Sequence, residues 1–426
     1  MKSSKLTLKT IITVQILVVI AFCGAYSFGS KESQQEFNNV FLKQISYPEV
    51  KIDRKVPLQV EPFYDDPSVV TDDELAAVLK QVRPKFPRKR MKPNHVEHAL
   101  RTWSIQSTFQ DPSVVSGIEM RDFLIDHARF LTSWGDEISP LLVEEPAGIS
   151  IRWGSQAGGS VHHDHWLASL TEAGIHLDEP VFGPSRRDMD INDVIQESLR
   201  DFRLDEREVE WSAMAFGLWI PPVKQWKTVD GRVVSFDQIV KRLIRGHKRF
   251  GVCVGTHRVY SLMLLIRLDD EFHILSKPVR AEAYAYLERV RDLISVCQFE
   301  DGHWPANWMD GESALTEPQE IPDYKNVIAT GHHLEWLAIA PKELHPPHEM
   351  IVKAAKWVIK NTTSHTEDEI LQKYTFYSHV GNALALWRKT HAATFWKNWQ
   401  KTHPYVPDTD DLQGANDSIE ARKPKL

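Results

Sequence analysis

The sequence predicts an all-α protein, an α/α toroid built as a barrel of helical hairpins, set behind an N-terminal transmembrane helix. Three observations predict it. From about residue 94 to 400, apolar residues recur at helical spacing with almost no strand alternation. Through that region a short pattern, His then four residues then Leu, returns near the start of successive predicted helices. At the N-terminus, Lys2, Lys5 and Lys9 precede an uncharged run from Thr10 to Ser30.

That run has its apolar heart at Ile11–Phe22. About 20 uncharged residues reach across a bilayer as a helix, and a lysine-rich front end leaves the N-terminus in the cytoplasm and the body on the extracytoplasmic side. The expectation is therefore a single-pass membrane protein, with the membrane as a partner through residues 1–30. A cleaved signal peptide is the competing reading, with Gly24, Ala25 and Ser27 near a cut. Either way the body is exported, and Cys253 and Cys297 then lie where a disulfide persists, although spacing does not show that they meet.

Residues 31–74 are polar and interrupted by Pro48, Pro57, Pro62 and Pro67, and read as an extended tether. Thr71-Asp72 opens a helix with Leu75, Val78, Leu79 and Val82 on one face. The run Arg83–Arg90 is a basic, solvated connector. Ser235 caps an amphipathic stretch Phe236–Ile244 that Gly246 stops. Similar stretches fall near 119–132, 189–202, 206–219, 256–268, 279–297, 329–340, 348–360 and 366–389, and Gly148–Trp153 is the best strand, an isolated one. The toroid domain is expected over 75–403, followed by a disordered tail, 404–426.

Composition narrows the function classes. The 426 residues are 42% hydrophobic and 26% charged, with a net charge of −7 spread over both signs. No basic face marks a nucleic-acid binder. Three cysteines exclude a disulfide scaffold and any four-cysteine metal site. Fourteen tryptophans need burial or a cavity to line.

The histidine pattern comprises His95–Leu100, His165–Leu170, His257–Leu262, His332–Leu337 and His379–Leu384. Intervals of 70, 92, 75 and 47 residues leave room for two helices per unit. Stacked hairpins whose inner helices begin alike suggest a closed barrel with its histidines gathered at one mouth. The near-continuous apolar run Tyr260–Ile266 fits an inner helix buried on most sides.

At Val296-Cys-Gln298-Phe-Glu-Asp301-Gly302-His-Trp304 the chain resembles the Gln–Trp repeat of the squalene cyclase and protein prenyltransferase superfamily. The resemblance implies an α/α toroid in which Gln and Trp clamp one helix end to the next and Asp-Gly makes the turn. Gln225-Trp226 with Asp230-Gly231 is a weaker echo. The superfamily's acid motif, Asp-x-Asp-Asp, occurs as Asp408–Asp411 in the polar tail, where no apolar cavity raises a carboxyl pKa, so an active triterpene cyclase is not implied. The zinc ligands of prenyltransferases are Asp, Cys and His; Cys253 and His257 share a helix start, but no matching Asp motif precedes them. Separately, Gly331-His332-His333-Leu334-Glu335-Trp336 is similar to an inner-helix element of N-acylglucosamine 2-epimerase-type α/α barrels, which implies a His and Glu reaching a sugar.

The residues expected to do chemistry are His257, His332, Glu335 and His379, since imidazoles beside a carboxylate exchange protons near neutral pH. Arg258, Tyr260, His333, Trp336, Trp304 and His165 are expected to bind the ligand. His162-His163-Asp164-His165 is the densest metal-like cluster, with His162 and His165 read on one helical face, but it lacks a remote third ligand, so no metal and no cofactor is assigned. The leading expectation is a protein that binds, and has groups to modify, an isoprenoid-like ligand in a His-lined central cavity. The alternatives are a carbohydrate-active epimerase, lyase or hydrolase, and a non-catalytic interaction scaffold.

Overall fold

The computed structural model describes residues 2–30, 34, 47–246 and 252–407. Helix α1 spans Lys2–Phe28. The body opens with α2 (Asp72–Gln81), α3 (Pro93–Trp103), α4 (Gly117–Ile125), α5 (His127–Trp134) and α6 (His165–Glu172). It continues with α7 (Ile191–Asp201), α8 (Val209–Trp219), α9 (Phe236–Ile244), α10 (Thr256–Phe272) and α11 (Lys277–Val296). A short α12 (Ser313–Thr316) leads to α13 (Asp323–Ala338), α14 (His348–Ser364), α15 (Glu367–Gln372), α16 (Tyr374–Trp387) and α17 (Ala392–Thr402).

Among the described residues, six helices close into a ring. Helix α3 packs on α6, α6 on α8, α8 on α10, α10 on α13, α13 on α16, and α16 returns to α3. Their sequences explain why they are inside: every residue of α8 is buried, and α13 is buried from Asn326 to Ala338. A helix buried on all faces needs neighbours on every side. The outer helices carry one apolar stripe each. In α9 the stripe is Phe236, Ile239, Val240 and Leu243, behind a capping box of Ser235 and Gln238. Helices α9 and α11 pack on α10, and α14 packs on α13.

The proline-rich segment before α2 lies across the C-terminal mouth of the ring. Leu58 N donates to Leu218 O at 2.9 Å, Phe63 N to Ala338 O at 3.1 Å and Asp66 N to Trp387 O at 2.8 Å. These carbonyls end α8, α13 and α16, where a helix has no internal donor left to offer, so the strap satisfies them.

The Gln–Trp segment forms a corner. Gln298 Nε2 donates to Gly302 O at 2.9 Å and to Met350 O at 2.7 Å, tying the end of α11 to the first turn of α14. Gly302 sits at φ 106°, and a Cβ there would lie 2.5 Å from Lys353 O. Trp304 is fully buried and donates to Ile294 O at 2.9 Å. The echo at Gln225–Gly231 is different: it makes a β-hairpin rather than a helix end.

Two expectations are corrected here. Among the described residues no helix is long and apolar enough to cross a membrane. The apolar heart Ile11–Phe22 of α1 rises only about 18 Å at 1.5 Å per residue, against a hydrocarbon core of about 30 Å. The transmembrane helix, the signal-anchor and the single-pass placement therefore fall. Second, the fold is largely but not wholly helical. Ile149–Ile151 (β2) is not isolated but pairs antiparallel with Leu142–Glu144 (β1). Two further two-stranded sheets, Pro180–Val181 (β3) with Met189–Asp190 (β4) and Gln225–Lys227 (β5) with Val233–Ser235 (β6), are too short to show alternation in sequence. Cys253 and Cys297, whose pairing the sequence leaves open, are free thiols. The Asp408–Asp411 motif and most of the tail lie outside the described residues.

Candidate functional site

Each inner helix places one ring side chain in a single layer inside the barrel. In order these are His98 (α3), His165 (α6), Trp211 (α8), His257 (α10), His332 (α13) and His379 (α16). Neighbouring centroids lie 4.5, 4.1, 4.2, 4.2 and 3.8 Å apart in that order, and His379 closes on His98 at 5.1 Å. All six are buried. Burial disfavours the charged imidazole and holds His98, His165, His257 and His379 well below the usual histidine range, with neighbouring cationic groups adding to it. The ring is therefore neutral at physiological pH.

Toward the C-terminal mouth a polar layer backs the ring. Arg101 pairs with Glu172, and its Nη2 lies 3.5 Å from Glu335 Oε1. Tyr260 donates to Glu172 at 2.9 Å, and Asn382 Nδ2 donates to Glu335 Oε1 at 2.6 Å. Beside these groups is a cavity of about 60 Å³, lined by Arg101, Glu172, Tyr260 and Asn382 and edged by the strap at Leu58–Val60.

Two carboxyls touch the ring, each 2.6 Å from a histidine Nδ1. Glu335 Oε2 accepts from His332, and Glu97 Oε2 lies against His165. Their surroundings differ. Burial pushes Glu335 up, but Arg101 and the hydrogen bonds from His332 and Asn382 more than offset it, so it stays ionised. Glu97 has burial against it and the Ser160 hydroxyl at 3.2 Å for support, and is pushed up to about 8.

Metal-ligating chemistry is present as well. Cys253, His257, His332 and His379 each offer one ligand atom, and these atoms lie within 4.8 Å of one another. Cys253 is delivered by the turn Val252–Gly255, where Cys253, Val254 and Gly255 all hold left-handed backbone, at φ 50°, 55° and 82°. That conformation is rare for valine. Thr256 Oγ1 and Trp308 Nε1 pin the turn by donating to Cys253 O and Val254 O at 2.6 and 3.1 Å.

The fold thus brings His257, His332, Glu335 and His379 together, with His165 across the ring and Tyr260 in the layer below. Arg258 lies elsewhere, its Nε 3.8 Å from Glu210 Oε1 and its Nη1 donating to Gly246 O. His333 points away from the ring, accepting from Trp336 Nε1 at 3.0 Å and standing edge-on to Trp308 and Trp304. Trp336 and Trp304 are buried on that outer side. Burial takes His333 down to about 3.

The dense histidine cluster comes apart. His162 and His163 precede α6; His162 pairs with Glu208 at 2.5 Å and His163 with Glu206 at 3.2 Å, while only His165 enters the ring. Sequence reading missed His98, Glu97, Arg101 and Trp211. In α3 the pattern selects His95, which instead packs on Phe86 and Tyr374, while His98 one turn later faces inward. In α8 the ring position is tryptophan, so a search for histidine passes over it. The signal available was the buried face of α3, on which Glu97, His98 and Arg101 all lie.

No protein-family model, curated protein or solved structure matches this chain.

Proposed function

We propose that the chain is an enzyme that moves protons on a small polar molecule at the imidazole ring, in the chemical class of epimerases, lyases and hydrolases. One arrangement carries this reading: two buried carboxyls in one ring, each 2.6 Å from a histidine Nδ1, with Arg101 beside Glu335 to keep it ionised while burial pushes Glu97 up to about 8. Paired groups whose surroundings push their pKa values apart can divide the acid and base roles between them. Glu97 beside His165 is poised near neutral pH, where proton transfer in both directions is fastest. His257, His332 and His379 stand across the ring with Glu335 behind His332, and Arg101 is paired with Glu172 and lies 3.5 Å from Glu335.

An isoprenoid ligand is the weaker reading. Both nitrogens of His165 and of His257, and Nε2 of His332 and His379, have no hydrogen-bond partner. Each buried group left unsatisfied costs about 1–3 kcal/mol, and hydrocarbon would satisfy none of them. The nearly complete burial of the ring favours one further reading, a scaffold in which the layer is purely structural.

Mass spectrometry of small molecules released from the gently purified full chain separates these readings. A water-soluble hydroxylated or carboxylated compound, turned over by the wild type and not by Glu97→Gln, is the expected result. A bound isoprenoid would overturn the proposal, and a ligand-free protein with no solvent-deuterium exchange into a panel of sugars and hydroxy acids would favour the scaffold.

A further inference from the structure

We infer that Cys253, His257, His332 and His379 form a binding site for one divalent transition-metal ion of the zinc class. Ion binding at these four residues does not depend on whether the ring turns a substrate over. No metal was assigned from sequence, because the ligands come from three different helices and a turn.

The donor set is the first reason. One thiol sulfur and three imidazole nitrogens suit a borderline ion such as Zn²⁺, which takes four such ligands as a tetrahedron. Bonds of about 2.0–2.3 Å would set the ligand atoms about 3.3–3.8 Å apart. The observed atoms lie within 4.8 Å of one another, so they need close by only about an ångström.

The unsatisfied nitrogens are the second, independent reason. His257 and His332 are fully buried and His379 nearly so. Neither nitrogen of His257 has a partner, nor does Nε2 of His332 or of His379. Buried polar atoms are nearly always paired, and an ion at their common centre would satisfy all three rings at once.

The groups behind the ligands are the third. Ligating imidazoles are usually oriented by a carboxylate on their far nitrogen. Glu335 Oε2 takes the Nδ1–H of His332 at 2.6 Å, leaving Nε2 with its lone pair toward the centre. The same oxygen lies 4.0 Å from Nδ1 of His379. The carboxylate therefore orients one of the three imidazoles and adds a negative charge to the site, while Nδ1 of His379 accepts from Arg101 Nη1 at 3.4 Å. A metal–thiolate bond also gives a reason for the left-handed stretch at Cys253 and Val254, whose cost is about 1–3 kcal/mol per residue and which has to be offset by something the turn holds.

The test uses the full chain, purified without a polyhistidine tag or chelator. Elemental analysis should find about one transition-metal ion per chain. Stripping the ion and adding Co²⁺ should give a thiolate-to-cobalt charge-transfer band together with the strong visible absorption of a tetrahedral site. Cys253→Ser should abolish the charge-transfer band, and His332→Gln should lose stoichiometric binding. Glu335→Gln should weaken affinity by about 10–100-fold while leaving the ligands in place. Because core variants can misfold, the wild-type protein provides its own check: the stripped chain, shown folded by circular dichroism, should unfold at a higher temperature once Zn²⁺ is returned. A folded chain that carries no ion and takes up no Co²⁺ would overturn the site, as would an ion retained by Cys253→Ser and His332→Gln alike.

Discussion

The two Glu–His pairs of the ring are equally close and hold different charges: Glu335 accepts a hydrogen bond from His332, whereas Glu97 lies against His165 without one. On the α13 side, Glu335 is surrounded by Arg101, Asn382 and His332 and stays ionised below its ordinary value. On the α3 side, Glu97 has one hydroxyl and the neutral imidazole of His165 beside it, and burial keeps its proton on to about pH 8. A distance of 2.6 Å between a carboxyl and an imidazole therefore does not define a role. The charges in the next layer do, because desolvation opposes ionisation in both places and a buried cation offsets it in only one. The ionised half suits holding a cation or an electrophilic ligand, and the neutral half suits moving a proton.

Removing the cation should break the contrast most severely. Arg101→Met leaves Glu172 and Glu335 as uncompensated buried charges, and we expect a loss of about 3–5 kcal/mol in chemical denaturation. A loss under about 1 kcal/mol would mean that Arg101 is not what keeps Glu335 ionised. Matched substitutions of the two histidines sharpen the contrast. His332→Phe strands a buried carboxylate oxygen and should cost about 1–3 kcal/mol or more. His165→Phe removes two nitrogens that have no hydrogen-bond partner, beside a carboxyl that is already neutral, and should stay within about 1 kcal/mol. Equal costs for the pair would show that the halves do not differ as described.

The pH dependence separates them further. Folded Glu97 binds its proton up to about pH 8, and the unfolded chain releases it near 4.5. The native state holds more protons in that window, so this residue makes stability fall as pH rises across it. Glu97→Gln should remove that decline, and the urea midpoint of the variant should overtake the wild type between pH 6 and 8.5. The buried imidazoles act with the opposite sign. Their folded pKa values are depressed below 6.5, so their contribution is present above that value and lost as pH falls. The wild type should therefore be most stable near neutrality. The smallest effect is expected outside the ring: His348→Ala breaks a half-exposed pair with Asp66 at 2.8 Å and should shift stability by no more than about 1 kcal/mol. A larger loss there would mean that the strap depends on that pair more than its backbone hydrogen bonds suggest.

What the sequence determined by itself was local. Helical periodicity is set within four residues, so the amphipathic outer helices and the apolar inner ones were legible, as was the Gln298–Trp304 corner, whose Asp-Gly turn and buried Trp act between neighbouring helices. Four of the recurring histidines, at 165, 257, 332 and 379, meet in one buried layer inside the barrel rather than at its mouth. Tertiary structure decided the rest. Whether His95 or His98 of α3 faces inward depends on how that helix is rotated against α6 and α16, and a three-residue difference leaves both on plausible faces. Trp211 belongs to the ring only because α8 closes it, which no pattern built on histidine can report. Cys253 meets His332 and His379, residues about 80 and 125 positions further on, because a left-handed turn aims it across the barrel. Glu97 and Glu335 differ in charge because Arg101 reaches one of them, and that proximity is a property of the closed ring, which chain-local physics cannot encode.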